Sequence, residues 1–376
     1  MGMRVAIAGG GLGGLTLARI LRRHGIDAVV YERETSRSAR PQGGSLDLHP
    51  ESGQQALAAA GLAGRFRSRA RPEGEEHRLL DPSGRTLVHH VPDPGSFSGR
   101  PEIDRGVLRD LLLDSLPGDA VRWGRRLTAA SPRPGGGWEL TFQDGHRSGC
   151  DLLVGADGAR SVVRPLLADV RLSHVATLVE LTVVDADRRR PDLAELVGPG
   201  NLWCVGGQRI LAAQRLGDGS LRIGITMRPD GRPLDTWRDK RALLDLFGDW
   251  DPRLTALIEA GDGTPAPRAI EAMPTGTRWP GRPGVTLIGD AAHLMPPVGE
   301  GANQAMLDGA ELAARLAAGP AGPEEAIRAY EEGMFTRIGP IAEMSARIQA
   351  MMLSPTAAAD LVRFFTTGPA EPAPAG

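Results

Sequence analysis

The sequence predicts an α/β fold in which a parallel-sheet domain is interrupted by an inserted antiparallel sheet and followed by C-terminal helices. Three observations carry that reading. A short apolar strand runs into a glycine cluster and a helix at the start of the chain, residues 174–228 are rich in strand-forming alternation, and a second strand–loop–helix passage follows near residue 285. An α/β opening, a β-rich middle and an α/β return describe one domain split by an insertion.

The elements follow in order. Arg4-Val-Ala-Ile-Ala8 is a buried-strand run, and a helix is expected from about Leu12 to His24, stopped by Gly25 as a left-handed cap. Asp27–Glu32 gives a second β-branched strand, so the opening is a βαβ unit with a right-handed crossover. Ser52-Gly-Gln-Gln55 has the capping-box pattern ahead of an alanine-rich helix ending near Gly61. Arg78–Leu80 and Thr86–Val91 flank the turn residues Asp81-Pro-Ser-Gly84. Asp104 is placed to cap a helix carrying Leu108, Leu111 and Leu112 on one stripe. Strands are expected around 120–130, 138–143 and 151–155, helices near 235–247 and 252–260, a strand at Val285–Ile288, and helices almost throughout from Ala302. The expected division gives the split domain 1–75, 101–170 and 269–320, the inserted hairpin and sheet 76–100 and 171–268, bridging helices 321–366, and a disordered tail 367–376.

Composition narrows the function. The 376 residues carry 44 basic and 46 acidic side chains, interspersed, for a net charge of −2, so neither nucleic acid nor an anionic membrane is the expected partner. Lys240 is the only lysine and sits in a charged run, which argues against a P-loop or a Schiff-base enzyme. Cys150 and Cys204 form no CxxC, and the eight histidines include no HExxH; no disulfide framework and no metal site are expected, and a reducing cytoplasm fits. No run approaches 18 apolar residues, so no membrane-spanning helix is expected. The segment from Met3 to Gly9 makes better sense as part of a nucleotide motif than as a signal peptide, and a monomer is expected.

Gly9-Gly-Gly11-Leu-Gly-Gly14 places GxGxxG directly between strand and helix. Gly9 permits the tight turn, Gly11 the approach of a pyrophosphate, and Gly14 close packing of helix on sheet, while the helix amides face the phosphates. Glu32 ends the second strand 18 residues past Gly14, where a carboxylate accepts ribose hydroxyls. NAD(P) and FAD both use such a loop. Asp151-Leu-Leu-Val-Gly-Ala-Asp157-Gly158 is a strand running into a DG turn and a polar helix start, with Arg160 and Arg164 available to an anion. Val285-Thr-Leu-Ile-Gly289-Asp290 is a third strand ending in an acid. It passes through Pro296-Pro297-Val-Gly299-Glu-Gly301-Ala302-Asn303 into a helix whose start can stabilise anionic charge on a ring.

With these three motifs in order, the sequence resembles the group A FAD-dependent monooxygenases of the para-hydroxybenzoate hydroxylase-like fold, over about residues 3–353. Within that group it is most similar to the tetracycline-inactivating monooxygenases, in Gly43–Gln54, Pro101–Arg109 and Gly289–Pro297. The resemblance implies a Rossmann-like FAD/NAD(P)-binding domain with an inserted substrate sheet. It implies FAD held by Gly9, Gly11, Gly14, Glu32, Arg33, Asp47, Arg105, Asp157, Gly289, Asp290, Gly301, Ala302 and Asn303. Arg40 is implied to engage NADPH or NADH, and Pro297, Gly299 and Gly301 to lie beside the isoalloxazine ring. The resemblance assigns no acid–base residue, because it implies that a flavin C4a-hydroperoxide delivers one oxygen atom of O2 to a polycyclic aromatic substrate. His293 reads as a packed residue rather than a base.

The resemblance implies a substrate-binding wall of Glu180, Arg209, Arg222, Gly224 and Met352, in which the first three look like the positions of a glutamine, an arginine and a histidine in the tetracycline enzymes. Only the arginine is retained, which alters charge and hydrogen-bond capacity. A tetracycline-type antibiotic and another polycyclic phenol are both compatible. A flavin reductase or dehydrogenase and a non-enzymatic drug-sequestering protein are the competing readings; intact Gly9, Gly11, Gly14, Asp157 and Asp290 speak against the last.

Overall fold

A computed structural model describes residues 2–93, 99–319 and 322–367. The chain divides into two compact units. Among the described residues, the first is built from 2–70, 103–173, 271–319 and 322–345, and the second from 71–93, 99–102, 174–270 and 346–367. The last residues of the expected tail, 368–376, lie outside the described residues.

The first unit is organised by a five-stranded sheet in the order Val285–Leu287, Leu152–Gly155, Val5–Ala8, Ala28–Tyr31, Val121–Arg122, paired in parallel throughout. The three central runs are apolar, and Val5–Ala8 and Leu152–Gly155 are buried along their whole length, as a sheet covered on both faces requires. Helix Leu12–Arg23 makes the first crossover and packs along helix Glu300–Ala317. The expected strand at 120–130 is two strands in different sheets. Gly124, in the left-handed region (φ 70°), turns the chain from Val121–Arg122 into Leu127–Pro132, which joins Trp138–Phe142 and Arg147–Cys150 in an antiparallel sheet.

The capping box at Ser52 does not form. A wide π-helical turn, Pro50–Gln54, precedes helix Gln55–Ala59, and the chain enters it at His49, whose carbonyl accepts the Gln54 N–H at 3.0 Å. The cause lies outside the segment: Asn303 accepts the His49 N–H at 3.0 Å and fixes the entry, while the Ser52 hydroxyl is buried without a hydrogen bond.

The second unit is a seven-stranded sheet in the order Asp262–Ala272, Ser173–Val183, Leu221–Met227, Arg209–Arg215, Asn201–Gly206, His77–Leu80, Thr86–His90. Alternation along a strand sends successive side chains to opposite faces. Val179, Leu181, Leu211, Ile223 and Ile225 join a core with Leu243, Leu254 and Leu257 of the helices Lys240–Leu246 and Pro252–Ala260. Leu178, Trp203, Ile210 and Ala212 belong to the other face and meet Met352, Leu353, Ala357 and Leu361. The strand Asp262–Ala272 has no counterpart in the sequence reading, because Gly263, Pro265 and Pro267 mimic a loop; it is an edge strand, where proline is tolerated.

Candidate active site

The glycine loop of the first unit is built by close backbone approach. A Cβ at Gly9, whose φ is +112°, would stand 2.2 Å from the Ala156 carbonyl oxygen, and one at Gly14 would stand 2.2 Å from the Gly9 oxygen. Gly11 is different: nothing lies within 4 Å of its Cβ position, so this face of the loop is open. Glu32 is buried and accepts the Gly10 N–H at 2.7 Å and the Glu34 N–H at 2.8 Å, which ties the loop to the end of the second strand. Beside it Gly11, Glu32, Glu34, Arg40, Arg105 and Arg109 line about 300 Å³ of open space. Arg40 pairs with Glu34, and Arg33 is exposed.

Arg109 holds this region together. Its guanidinium is buried, donates to the carbonyls of Gly10 (3.2 Å) and Arg37 (3.0 Å), pairs with Glu34 at 3.2 Å, and lies 5.4 Å from the Trp123 ring centroid. Sequence reasoning assigned it no role. It closes the segment Pro101–Arg109, four residues past Arg105 and so one helical turn along the same face.

The loop after Leu152–Gly155 lies against the first. Asp157 Oδ2 accepts the amides of Val162 (2.7 Å) and Val163 (3.4 Å), whereas its Oδ1 is buried without a partner. Burial pushes this carboxyl above its ordinary range, partly offset by the Ser161 hydroxyl and those amides. The expected helix start here is only a 3-10 turn, Arg164–Leu166. Arg164 is not available to an anion: it donates to the carbonyls of Ala159 (2.9 Å), Gly158 (3.4 Å), Asp290 (2.7 Å) and Ala291 (2.8 Å), joining the second loop to the third. Arg160 is exposed and pairs with Glu271 at 3.4 Å.

In the third loop Gly289 adopts φ 60° and donates its N–H to Asp308 Oδ2 at 2.7 Å. The Asp290 side chain is exposed, and its Oδ1 lies 3.8 Å from where a Gly301 Cβ would be. Pro297 is exposed, and Gly299 (φ 105°) turns the chain into the 18-residue helix Glu300–Ala317, with Gly301 and Ala302 in its half-buried first turn. Asn303 is buried and donates to the carbonyls of Asp47 (2.8 Å) and Gly299 (3.3 Å); the Asp47 carboxylate meets His49 Nε2 at 2.9 Å. Asp47, Gly299, Gly301, Ala302, Asn303 and Asp290 are thus brought together. His293 is buried, with Nε2 on Asp308 at 2.6 Å.

In the second unit, Glu180 and Gly224 are directly paired across the antiparallel strands. Glu180 bridges Arg222 at 2.9 Å and Arg268 at 3.3 Å, and Arg222 also donates to Thr182 at 3.1 Å. Arg209 is not brought to this group. Its odd-numbered position faces the other core, where it pairs with Asp249 at 3.2 Å and the Leu246 carbonyl and stacks near Phe247 and Trp250, at 5.3 and 5.6 Å. Met352 packs in the core on the Glu180 side. Among the described residues no cluster of His, Cys, Asp or Glu would hold a metal ion, and no helix is long and apolar enough to cross a membrane.

A FAD fits the first unit: Gly11 leaves an open backbone cradle, and the unpartnered Asp157 Oδ1 calls for a hydroxyl donor. Fold and loops together define a FAD-binding oxidoreductase. The chain belongs to the FAD binding domain family, whose model matches residues 2–210 and 276–336, and within it to the para-hydroxybenzoate hydroxylase-like FAD-dependent monooxygenases. It is 32% identical to a 3-amino-4-hydroxybenzoate 2-monooxygenase of Streptomyces platensis, over 89% of this chain and 85% of the relative. The Klebsiella pneumoniae HpxO structure with FAD and uric acid superposes with a TM-score of 0.81 at 24% identity, covering 96% of this chain and 93% of that one. The tetracycline destructase Tet(51) gives 0.73 at 19%, covering 97% and 94%. These two likenesses speak to the fold alone.

Proposed function

We propose that the protein consumes NADPH or NADH and inserts one oxygen atom of O2 into an aromatic hydroxy compound, a polycyclic phenol or a tetracycline-type molecule. Asp157 carries the reading: a buried acceptor without a donor, beside an open glycine cradle, is what a loop awaiting a hydroxyl-bearing dinucleotide presents. When bound, FAD supplies the redox chemistry that takes up hydride and activates O2.

The chain's own residues bind and orient. The amides around Gly11 receive the pyrophosphate, Glu32 and Asp157 accept hydroxyl hydrogens, and Arg105 adds charge beside them. Asp47 and Asp290 hold the polyol end, and the helix start at Gly301 and Ala302 stabilises negative charge on the ring, with Pro297 and Gly299 shaping the approach. Arg40, held by Glu34, is the candidate for the nicotinamide cofactor. On the sheet unit Glu180 accepts a phenolic O–H, Arg222 donates to a phenolate, and the missing side chain of Gly224 leaves room for a ring. Arg209 anchors the sheet to its helices instead.

The relative acting on 3-amino-4-hydroxybenzoate supports an aromatic substrate bearing a hydroxyl. The test is a panel of hydroxybenzoates, polycyclic phenols and tetracyclines under 18O2, scored by stimulated NAD(P)H oxidation and product mass. A substrate that stimulates oxidation and leaves one labelled oxygen heavier is expected. Oxidation without incorporation for every compound would leave a reductase. A panel in which no tetracycline stimulates oxidation would remove that substrate class.

A further inference from the structure

We propose that Asp308, one turn beyond Gln304 on the helix Glu300–Ala317, is a positioning residue that sets the cofactor-facing loop Gly289–Ala291 in its binding geometry. The inference rests on FAD binding by the first unit. Asp308 is fully buried, and each of its oxygens is taken. Oδ2 accepts the Gly289 N–H at 2.7 Å and His293 Nε2 at 2.6 Å, and Oδ1 accepts Arg337 Nη2 at 2.7 Å. Burial alone would raise its carboxyl, but His293 and Arg337 hold it below the ordinary range.

A buried carboxylate is an expensive way to fill space, so three converging donors point to a geometric task. That task is at Gly289. With φ at 60° its amide leaves the strand ladder, and Asp308 is the acceptor it meets. Arg164 takes the carbonyls of the next two residues, Asp290 and Ala291. An anion and a cation thus grip three consecutive residues, and the Asp290 carboxylate is what that grip presents. His293 lies in the same short helix as Asp290, and its bond to Asp308 stops that helix from rotating. Arg337 is secured in turn by Glu311 at 3.0 Å and by Gln304, so the grip extends to the first turns of the helix whose start faces the ring. The His293 Nδ1 has no partner, and the ring lines a cavity with Met273, Met334 and Phe335, so a leucine can be accommodated there.

Asp308→Asn keeps the shape, but one amide oxygen cannot accept from Gly289, His293 and Arg337 together. Measured on the full chain by FAD titration and visible circular dichroism, the expected result is a folded variant with FAD affinity at least roughly tenfold weaker and an altered flavin band. A folded variant with the parent's affinity and band would overturn the proposal. Should that variant not fold, His293→Gln, which keeps a donor toward Asp308, is compared with His293→Leu, which does not. The glutamine variant is expected to retain the parent's band and affinity and the leucine variant to lose both; identical behaviour of the two overturns the proposal. A parent protein that takes up no FAD would instead defeat the reading beneath it.

Discussion

The two units are built on opposite devices, backbone in one and side chains in the other. The cofactor unit works with backbone: a Cβ at Gly9 or Gly14 would strike a carbonyl at 2.2 Å, whereas the face of Gly11 is open. The sheet unit works with side chains on one face, where Glu180, Arg222 and Arg268 satisfy one another and Gly224 only leaves space. A backbone cradle tolerates almost no substitution. A side-chain wall can change its chemistry by exchanging partners while the sheet persists, which suits a family whose members act on different aromatics.

That contrast is tested most severely at its glycines. Gly14→Ala drives a methyl into the Gly9 carbonyl, an overpacking cost of about 1–3 kcal/mol, and is expected to weaken FAD binding roughly ten- to hundredfold. Gly224→Ala, whose Cβ would meet only Leu178 Cδ1 at 3.5 Å, should leave FAD binding and melting temperature unchanged. FAD titration and thermal melts of both variants check this; equal damage from the two would erase the distinction.

The units also differ in their response to acid. In the sheet unit burial lowers the His77 imidazole from 6.5 to about 4, and its Nε2 has no partner beside Trp203 and Phe365. The unfolded chain therefore binds a proton that the folded one refuses between those values, so stability is full above pH 6.5 and lost as pH falls toward 4, by up to about 3 kcal/mol. His77→Phe should flatten that slope in denaturant melts.

In the cofactor unit the shift has the other sign. The raised carboxyl of Asp157 gives the apoprotein stability at low pH that is lost as pH rises through the folded value, above the ordinary carboxylate range. Asp157→Asn should then stabilise the apoprotein at neutral pH while weakening FAD roughly tenfold, opposite signs that a pair of melts with and without FAD will separate. Smallest of all is Glu180→Gln. Its ion pairs are partly exposed, so stability should move by less than about 1 kcal/mol, while KM for the substrate rises several-fold with kcat less affected.

The cofactor unit was also the more legible in the sequence, for a physical reason. A GxGxxG loop, a DG turn and a GD turn are local backbone requirements, and local requirements leave local residue patterns. What stayed hidden there depends on partners far along the chain: Arg164 takes carbonyls 126 and 127 residues away, Arg109 reaches the glycine loop across 99, and Asn303 sets a turn at His49 across 254. Ser52 satisfies a capping pattern yet forms no cap because that distant amide wins. In the sheet unit the alternation of Leu221–Met227 gave the strand and its faces, but the face occupied by Arg209 follows from register, and a shift by one residue reverses it. The edge strand with its two prolines was unreadable for the same reason that edges accept proline.

The most direct test of the backbone cradle is a FAD titration of the parent protein and Gly11→Ala, each with its apoprotein melting temperature. One FAD per parent chain is predicted. The alanine variant should melt as the parent does, because nothing lies within 4 Å of the added methyl, yet bind FAD at least roughly tenfold more weakly. Undiminished binding by the variant, or a parent chain that takes up no FAD, would contradict the account.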